Sequence, residues 1–178
     1  KAGLAAGHFL MREKLDFVIL DDQPEPGGAW RHYWDSLRLF SPAEYSPLPG
    51  WWMPRQPGEE FPTADHVVAY LAEYEQRYQL PVQRPVRVDG VHDAGAWLAV
   101  DTDRGTWRAR TVISATGTWS QPHLPSYPGS EDFAGQQWHT ESYRCPKEFA
   151  DQHVVIVGGG NSAAQILAEV STVAEATW

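Results

Sequence analysis

The sequence predicts an α/β chain in which parallel strands alternate with helices around an inserted β-meander. Three patterns predict it. His153-Val-Val-Ile-Val157 is a short apolar strand pattern that runs into Gly158, Gly159 and Gly160, then into Ala163, Ala164, Ile166 and Leu167 at helical spacing. Leu4, Ala5, Phe9 and Leu10 give a helix, followed by the strand Phe17-Val18-Ile19-Leu20 and an acid, Asp21. Between these lie runs of alternating character from Pro85 to Gly117, broken by turn residues.

Strand, glycine turn and helix in that order turn Gly158-x-Gly160-x-x-Ala163 into a dinucleotide fingerprint. Gly158 allows the tight turn, Gly160 lets backbone approach a pyrophosphate, and Ala163 lets helix and strand pack closely. The helix N-terminus offers free N–H groups and the positive end of a dipole to phosphates. The same residues also suit an ordinary strand-to-helix turn.

The N-terminal helix, from Gly3 to about Lys14, and its strand form the second half of a similar unit. In such units an acid about 20 residues past the glycine turn takes a ribose hydroxyl. Asp21 lies eighteen residues after Gly3. If Gly3 is the last glycine of a first motif, its two partner glycines and their strand are not in the sequence, and a chain incomplete at both ends is expected. Read otherwise, Asp21 is a plain strand-end acid, and Lys1 to Met11 faintly resembles a signal peptide.

Gly27-Gly28-Ala29-Trp30 forms a loop that brings backbone close to a ligand or simply turns the chain. Residues 31–62 carry many Pro, Ser, Trp and Tyr with little periodicity, and read as a long functional excursion. Thr63 caps a helix through about Gln79, with Val67, Val68, Leu71 and Tyr74 on one face. The meander follows as Val86–Val88, Ala96–Val100 and Trp107–Ile113, its last strand ending in the small residues Ala115-Thr116-Gly117. Pro122, Pro125 and Pro128 mark a linker.

Composition narrows the function. The chain has 178 residues, 42% of them hydrophobic, and a formal charge of −9 from 23 acids against 14 Lys and Arg. That balance disfavours nucleic acid and anionic membranes as partners, and no run is long and apolar enough for a membrane span. The expected location is cytoplasmic. Cys145 is the one cysteine, so neither a disulfide nor a cysteine-based metal site forms within this sequence. No metal site is expected.

Phe133-Ala-Gly135-Gln-Gln-Trp-His139-Thr-Glu-Ser-Tyr143-Arg144 fits the pattern F-x-G-x-x-x-H-x-x-x-(F/Y)-(K/R) at every fixed position, just ahead of the Gly158 motif. With the two nucleotide motifs, it makes the chain resemble the flavin-containing monooxygenase family over nearly all of its length and about half of a full-length member. Tyr143-Arg144, where Baeyer–Villiger relatives carry Trp followed by Pro or Asp, favours the heteroatom-oxygenating or general hydroxylating branch.

The resemblance implies a Rossmann-like three-layer FAD-binding domain with an inserted β-meander (1–122), a linker bearing the fingerprint (123–150), and the start of a second Rossmann-like NAD(P)-binding domain (151–178). It implies that Gly3, Asp21, Gly28, Ala29 and Trp30 hold FAD, that Ala115, Thr116 and Gly117 lie between the domains, and that Gly158, Gly160, Asn161, Ser162 and Ala163 hold NAD(P)H. Many relatives carry an asparagine near the flavin. Here Phe40-Ser41 falls at that point, without an amide, and Ser41 is the cofactor-contacting candidate.

His139 belongs to a fingerprint that mainly shapes the linker and the nicotinamide site, and no catalytic side chain is assigned. The implied activity is a monooxygenase that is reduced by NAD(P)H and transfers one atom of O₂ to a small molecule through a flavin C4a-(hydro)peroxide. The alternatives are a pyridine-nucleotide disulfide reductase and a truncated, non-catalytic dinucleotide-binding module. The residues do not choose the substrate or decide between NADPH and NADH, since the stretch that would hold a 2′-phosphate lies past Trp178.

Overall fold

A computed structural model describes residues 1–178. In chain order it contains α1 (Ala2–Arg12), β1 (Ile19–Leu20), α2 (Ala64–Tyr78), β2 (Val82–Gln83), β3 (Val88–Asp93), β4 (Leu98–Thr102), β5 (Gly105–Ala109), β6 (His153–Val155), α3 (Asn161–Val170) and β7 (Glu175–Thr177). The chain is α/β, as expected. Two parallel pairs, β1 with β2 and β6 with β7, flank the antiparallel sheet β3-β4-β5.

The first unit is built by close approach of helix and strand. A Cβ at Gly7 would lie 2.9 Å from Ile19 Cδ1, so a glycine there lets α1 lie directly on β1. In α2, Val67, Tyr70, Leu71 and Tyr74 are buried at the i, i+3, i+4, i+7 positions of one helical face. Thr63 Oγ1 accepts the His66 N–H at 3.2 Å and closes the helix start.

That buried face also organises the long excursion. Leu39, Ala43, Leu48 and Met53 pack onto it. The Tyr70 hydroxyl accepts the Leu48 N–H (2.6 Å) and donates to the Trp51 carbonyl (2.7 Å), while the Tyr74 hydroxyl donates to the Pro49 carbonyl (2.6 Å). Irregular backbone is satisfied here by side chains from the adjacent helix, because no ladder is present to satisfy it.

A second core joins the two ends of the chain. Trp34, Leu37 and Ala64 from the first unit pack with Tyr143, Phe149 and Val170. In and just after β6, Val154 and Ile156 face this core, while Val155 and Val157 are each 71% exposed. The apolar run Val154–Val157 is therefore covered on one face only. β6 is also shorter than the run, although Ile156 extends the ladder by donating to the Thr177 carbonyl at 2.8 Å.

The meander is shifted relative to its sequence pattern. Its first strand starts at Val88, and Val86 instead turns back to β1, donating its N–H to the Asp21 carbonyl at 2.8 Å. Its last strand stops at Ala109, because the partner β4 begins at Leu98, paired with Ala109, and leaves nothing further to bond. Residues 111–117 are outside any strand, which corrects the expectation of a strand tip at Ala115-Thr116-Gly117.

Candidate functional site

The first cluster of expected site residues gathers at the end of β1. Asp21 donates its N–H to the Gln83 carbonyl (3.1 Å), and its Oδ1 accepts the Gln23 N–H (3.2 Å). Its Oδ2 accepts the Arg84 Nε–H at 2.7 Å. The remaining face of Arg84 makes a two-pronged pair with Glu75 of α2, at 2.7 and 2.6 Å. These side chains are 22%, 14% and 10% exposed for Asp21, Arg84 and Glu75. Burial works against the Arg84 charge, but hydrogen bonds and attraction from Glu75 and Asp21 outweigh it and raise the guanidinium pKa. Asp21 is thus held in one direction at the strand tip, with lone pairs left over for a ribose hydroxyl.

Beside it, the Gly27-Gly28 turn needs both glycines. Gly27 has φ +119° and Gly28 φ +56°, and a Cβ on Gly27 would come within 3.0 Å of Arg31 Cγ and Val68 Cγ1. Space around Gly28 is open to 4 Å. Ala29 lies in the tight helical turn that follows, and Trp30 packs against both cores with its ring 5.5 Å from that of Tyr33. Gly3 sits in the first turn of α1, and a Cβ there would lie 3.7 Å from that of Ala115, so these two positions meet. Thr116 and Gly117 continue from Ala115 as exposed chain. Ser41 pairs its hydroxyl with Ser46 at 3.1 Å and so is turned toward its own loop.

The second cluster is the glycine turn after β6. Gly158 has φ +146°, and an added Cβ would lie 3.4 Å from that of Ala163, which ties this glycine to tight strand–helix packing. Gly159 and Gly160 have no heavy atom within 4 Å of an added Cβ. Gly160 leads into α3, where Asn161, Ser162 and Ala163 make the first turn with its unbonded N–H groups. An open glycine turn at a helix N-terminus leaves room for a pyrophosphate. The Gly158 carbonyl accepts the Trp178 indole N–H at 2.6 Å, which fixes the turn from behind.

The fingerprint has a clear internal logic. A Cβ at Gly135 would meet the Phe133 ring at 2.6 Å, so the glycine exists to seat that ring. His139 Nδ1 accepts the Glu141 N–H (3.3 Å), and its carbonyl accepts the N–H groups of Ser142 (2.9 Å) and Tyr143 (3.2 Å). His139 is therefore a loop organiser. Arg144 closes the same turn by donating to the carbonyls of Glu141 (2.6 Å) and Tyr143 (2.8 Å). Tyr143 is buried and donates its hydroxyl to Glu169 Oε2 at 2.7 Å. Burial first, then that carboxylate, raises the phenol pKa. Sequence reasoning missed Arg84, Glu75 and Glu169.

A family model described as pyridine nucleotide-disulphide oxidoreductase matches residues 1–176. A solved flavin-containing monooxygenase from Stenotrophomonas maltophilia superposes with a TM-score of 0.94 and is 56% identical. The match covers 98% of this chain and 53% of that one.

The chain belongs to the pyridine nucleotide-disulphide oxidoreductase family, within its flavin-containing monooxygenases.

An uncharacterized oxidoreductase of Bacillus velezensis, CzcO, is 34% identical over 96% of this monooxygenase-family chain and 49% of its own length. A steroid monooxygenase solved with bound NADP is 26% identical with a TM-score of 0.64, over 98% of this chain and 35% of that one. The chain spans about half the length of the curated relatives it matches first. No helix is long and apolar enough to cross a membrane.

Proposed function

We propose that this chain supplies the cofactor-holding part of an FAD-dependent monooxygenase that is reduced by NAD(P)H and acts on a small molecule with O₂. The 56% identity to a flavin-containing monooxygenase of known structure carries the reading, because it extends over both nucleotide clusters and the fingerprint between them. Residues 1–122 form the FAD domain, 123–150 the linker and 151–178 the start of the NAD(P) domain of a cytoplasmic enzyme.

In this reading Asp21, held by Arg84, binds a ribose hydroxyl of FAD. Gly3, Gly28, Ala29, Trp30 and Ser41 border the same cofactor, and Ala115, Thr116 and Gly117 pass between the domains. Gly158, Gly160, Asn161, Ser162 and Ala163 cradle the nicotinamide dinucleotide, and Phe133, Gly135, His139, Tyr143 and Arg144 shape the joint. FAD held by these residues would, once reduced, supply the oxygen chemistry, with the C4a-(hydro)peroxide that the family resemblance implies as the donor of one oxygen atom. The protein's share is orientation and the exclusion of water.

Dithiol chemistry is the rival within the family. It needs two cysteines in bonding reach, and Cys145 is the one cysteine in this sequence. Its thiol faces Glu148 Oε1 at 3.9 Å. The full-length protein should purify yellow, release flavin on denaturation and consume O₂ with NAD(P)H. Cys145→Ser should keep that rate. A folded, FAD-loaded Cys145→Ser protein without turnover would return the thiol to the mechanism and overturn the oxygenase reading.

A further inference from the structure

One carboxylate gathers three donors from two distant stretches of chain. Glu169 lies in the last turn of α3. Its Oε1 accepts the Trp34 indole N–H at 3.2 Å and the Ser36 hydroxyl at 2.6 Å, and its Oε2 accepts the Tyr143 hydroxyl at 2.7 Å. One turn earlier Gln165 donates to the Arg38 carbonyl at 3.3 Å. Trp34 is fully buried, with its ring edge-on to Tyr143 at 5.6 Å. An acid is out of place at a helix C-terminus, where the dipole is negative. Three donors offset that cost, and charge-assisted hydrogen bonds of this kind are the stronger ones.

The position matters more than the strength. Trp34, Ser36 and Arg38 belong to the excursion anchored on α2, whereas α3 begins at the Gly158–Gly160 turn. From Asn161 to Glu169 the helix spans about 12 Å. A rod pinned at its C-terminal end fixes the direction of its N-terminal end. Resting on the function proposed above, we propose that Glu169 is a positioning residue. It locks the second nucleotide turn at a set angle to the first, so that a nicotinamide held at one end reaches the flavin held at the other.

The test uses the full-length, FAD-loaded protein, with NADPH and NADH each tried as reductant. Glu169→Ala should lower the limiting rate of flavin reduction at least tenfold, while FAD content and the Kd for the nicotinamide cofactor change less than threefold. Glu169→Gln should recover most of the rate, since its amide oxygen still accepts from Trp34 and Ser36 and its NH₂ can donate to the Tyr143 oxygen. Without any nicotinamide cofactor, hydrogen exchange in peptides covering 34–38 and 161–170 should quicken in Glu169→Ala. Where Glu169→Ala fails to fold, Tyr143→Phe carries the same test with a smaller loss of rate.

Reduction at the wild-type rate, or a loss that merely follows loss of FAD, overturns the proposal. If the wild-type protein is not reduced by either nucleotide, the function reading fails instead. Exchange then decides the latch alone: unchanged exchange overturns it, and faster exchange supports it.

Discussion

The two clusters proposed to hold nucleotides are built in opposite ways. Around Asp21 the acid is locked to Arg84, which is locked to Glu75, and the backbone is tied to β2 and to Val86. Around Gly160 nothing comes within 4 Å of an added side chain, and the neighbouring Val155 and Val157 stand open. One cluster carries its own charge partner at the binding point. The other has its charged partner, Glu169, at the far end of its helix. A pre-formed carboxylate suits a cofactor that stays, and an open cradle on a pinned helix suits one that comes and goes.

The contrast is open to direct attack. Arg84→Ala should have the largest effect, because it strands Glu75 and Asp21 with little solvent to replace their partner. A loss of about 3 kcal/mol in unfolding free energy is expected, read by urea denaturation. Arg87, whose pair with Asp89 is exposed, is the control, and Arg87→Ala should leave the midpoint unchanged. Equal midpoints for the two variants would mean that the Asp21 cluster is no more pre-formed than the surface.

Gly160→Val should come next. Gly160 has φ −98° and free space around it, so the fold should tolerate the side chain. The valine fills the cradle, and flavin reduction by NAD(P)H should slow by about tenfold, or about 1.4 kcal/mol, at unchanged FAD content. Loss of FAD with normal reduction of the remaining holoenzyme would show the two sites to be assigned in reverse.

The smallest effect concerns alkaline pH. Burial raises the phenol pKa values of Tyr70 and Tyr74 in the first core and of Tyr143 at the joint. The folded state then holds its protons more tightly than the unfolded one, whose phenols titrate near 10. The stability they contribute is whole below that pH and is lost as pH rises from there through the folded values. Between pH 8 and pH 11 the unfolding free energy should fall, by about 1 kcal/mol each for Tyr74 and Tyr143. Tyr74→Phe should flatten that decline, as should Tyr143→Phe. A decline untouched by either variant would place the titrating groups elsewhere.

What was legible in the sequence was local. The Gly158 turn, the α1–β1 unit and the Thr63 cap each declare themselves within a dozen residues, through spacing and capping chemistry. Arg84 does not, because its meaning comes from Asp21, 63 residues away, and Glu75. Glu169 left one trace, an acid in the last turn of a helix where the dipole disfavours it, but its partners lie up to 135 residues distant. The end of β5 was misread because a strand's length is set by its neighbour, and β4 supplies no residue opposite Arg110 or beyond.

The same separation bears on how the protein is made. Trp34 emerges from the ribosome long before the groups that bury it. At roughly 5–20 residues per second, the 135 residues up to Glu169 take about 7 to 27 seconds to synthesise. For that interval a large indole and the neighbouring Leu37 have no apolar cover from Tyr143, Phe149 or Val170. The nascent chain therefore carries an uncovered apolar patch through that interval, and slowing translation between residues 40 and 140 should raise the insoluble fraction.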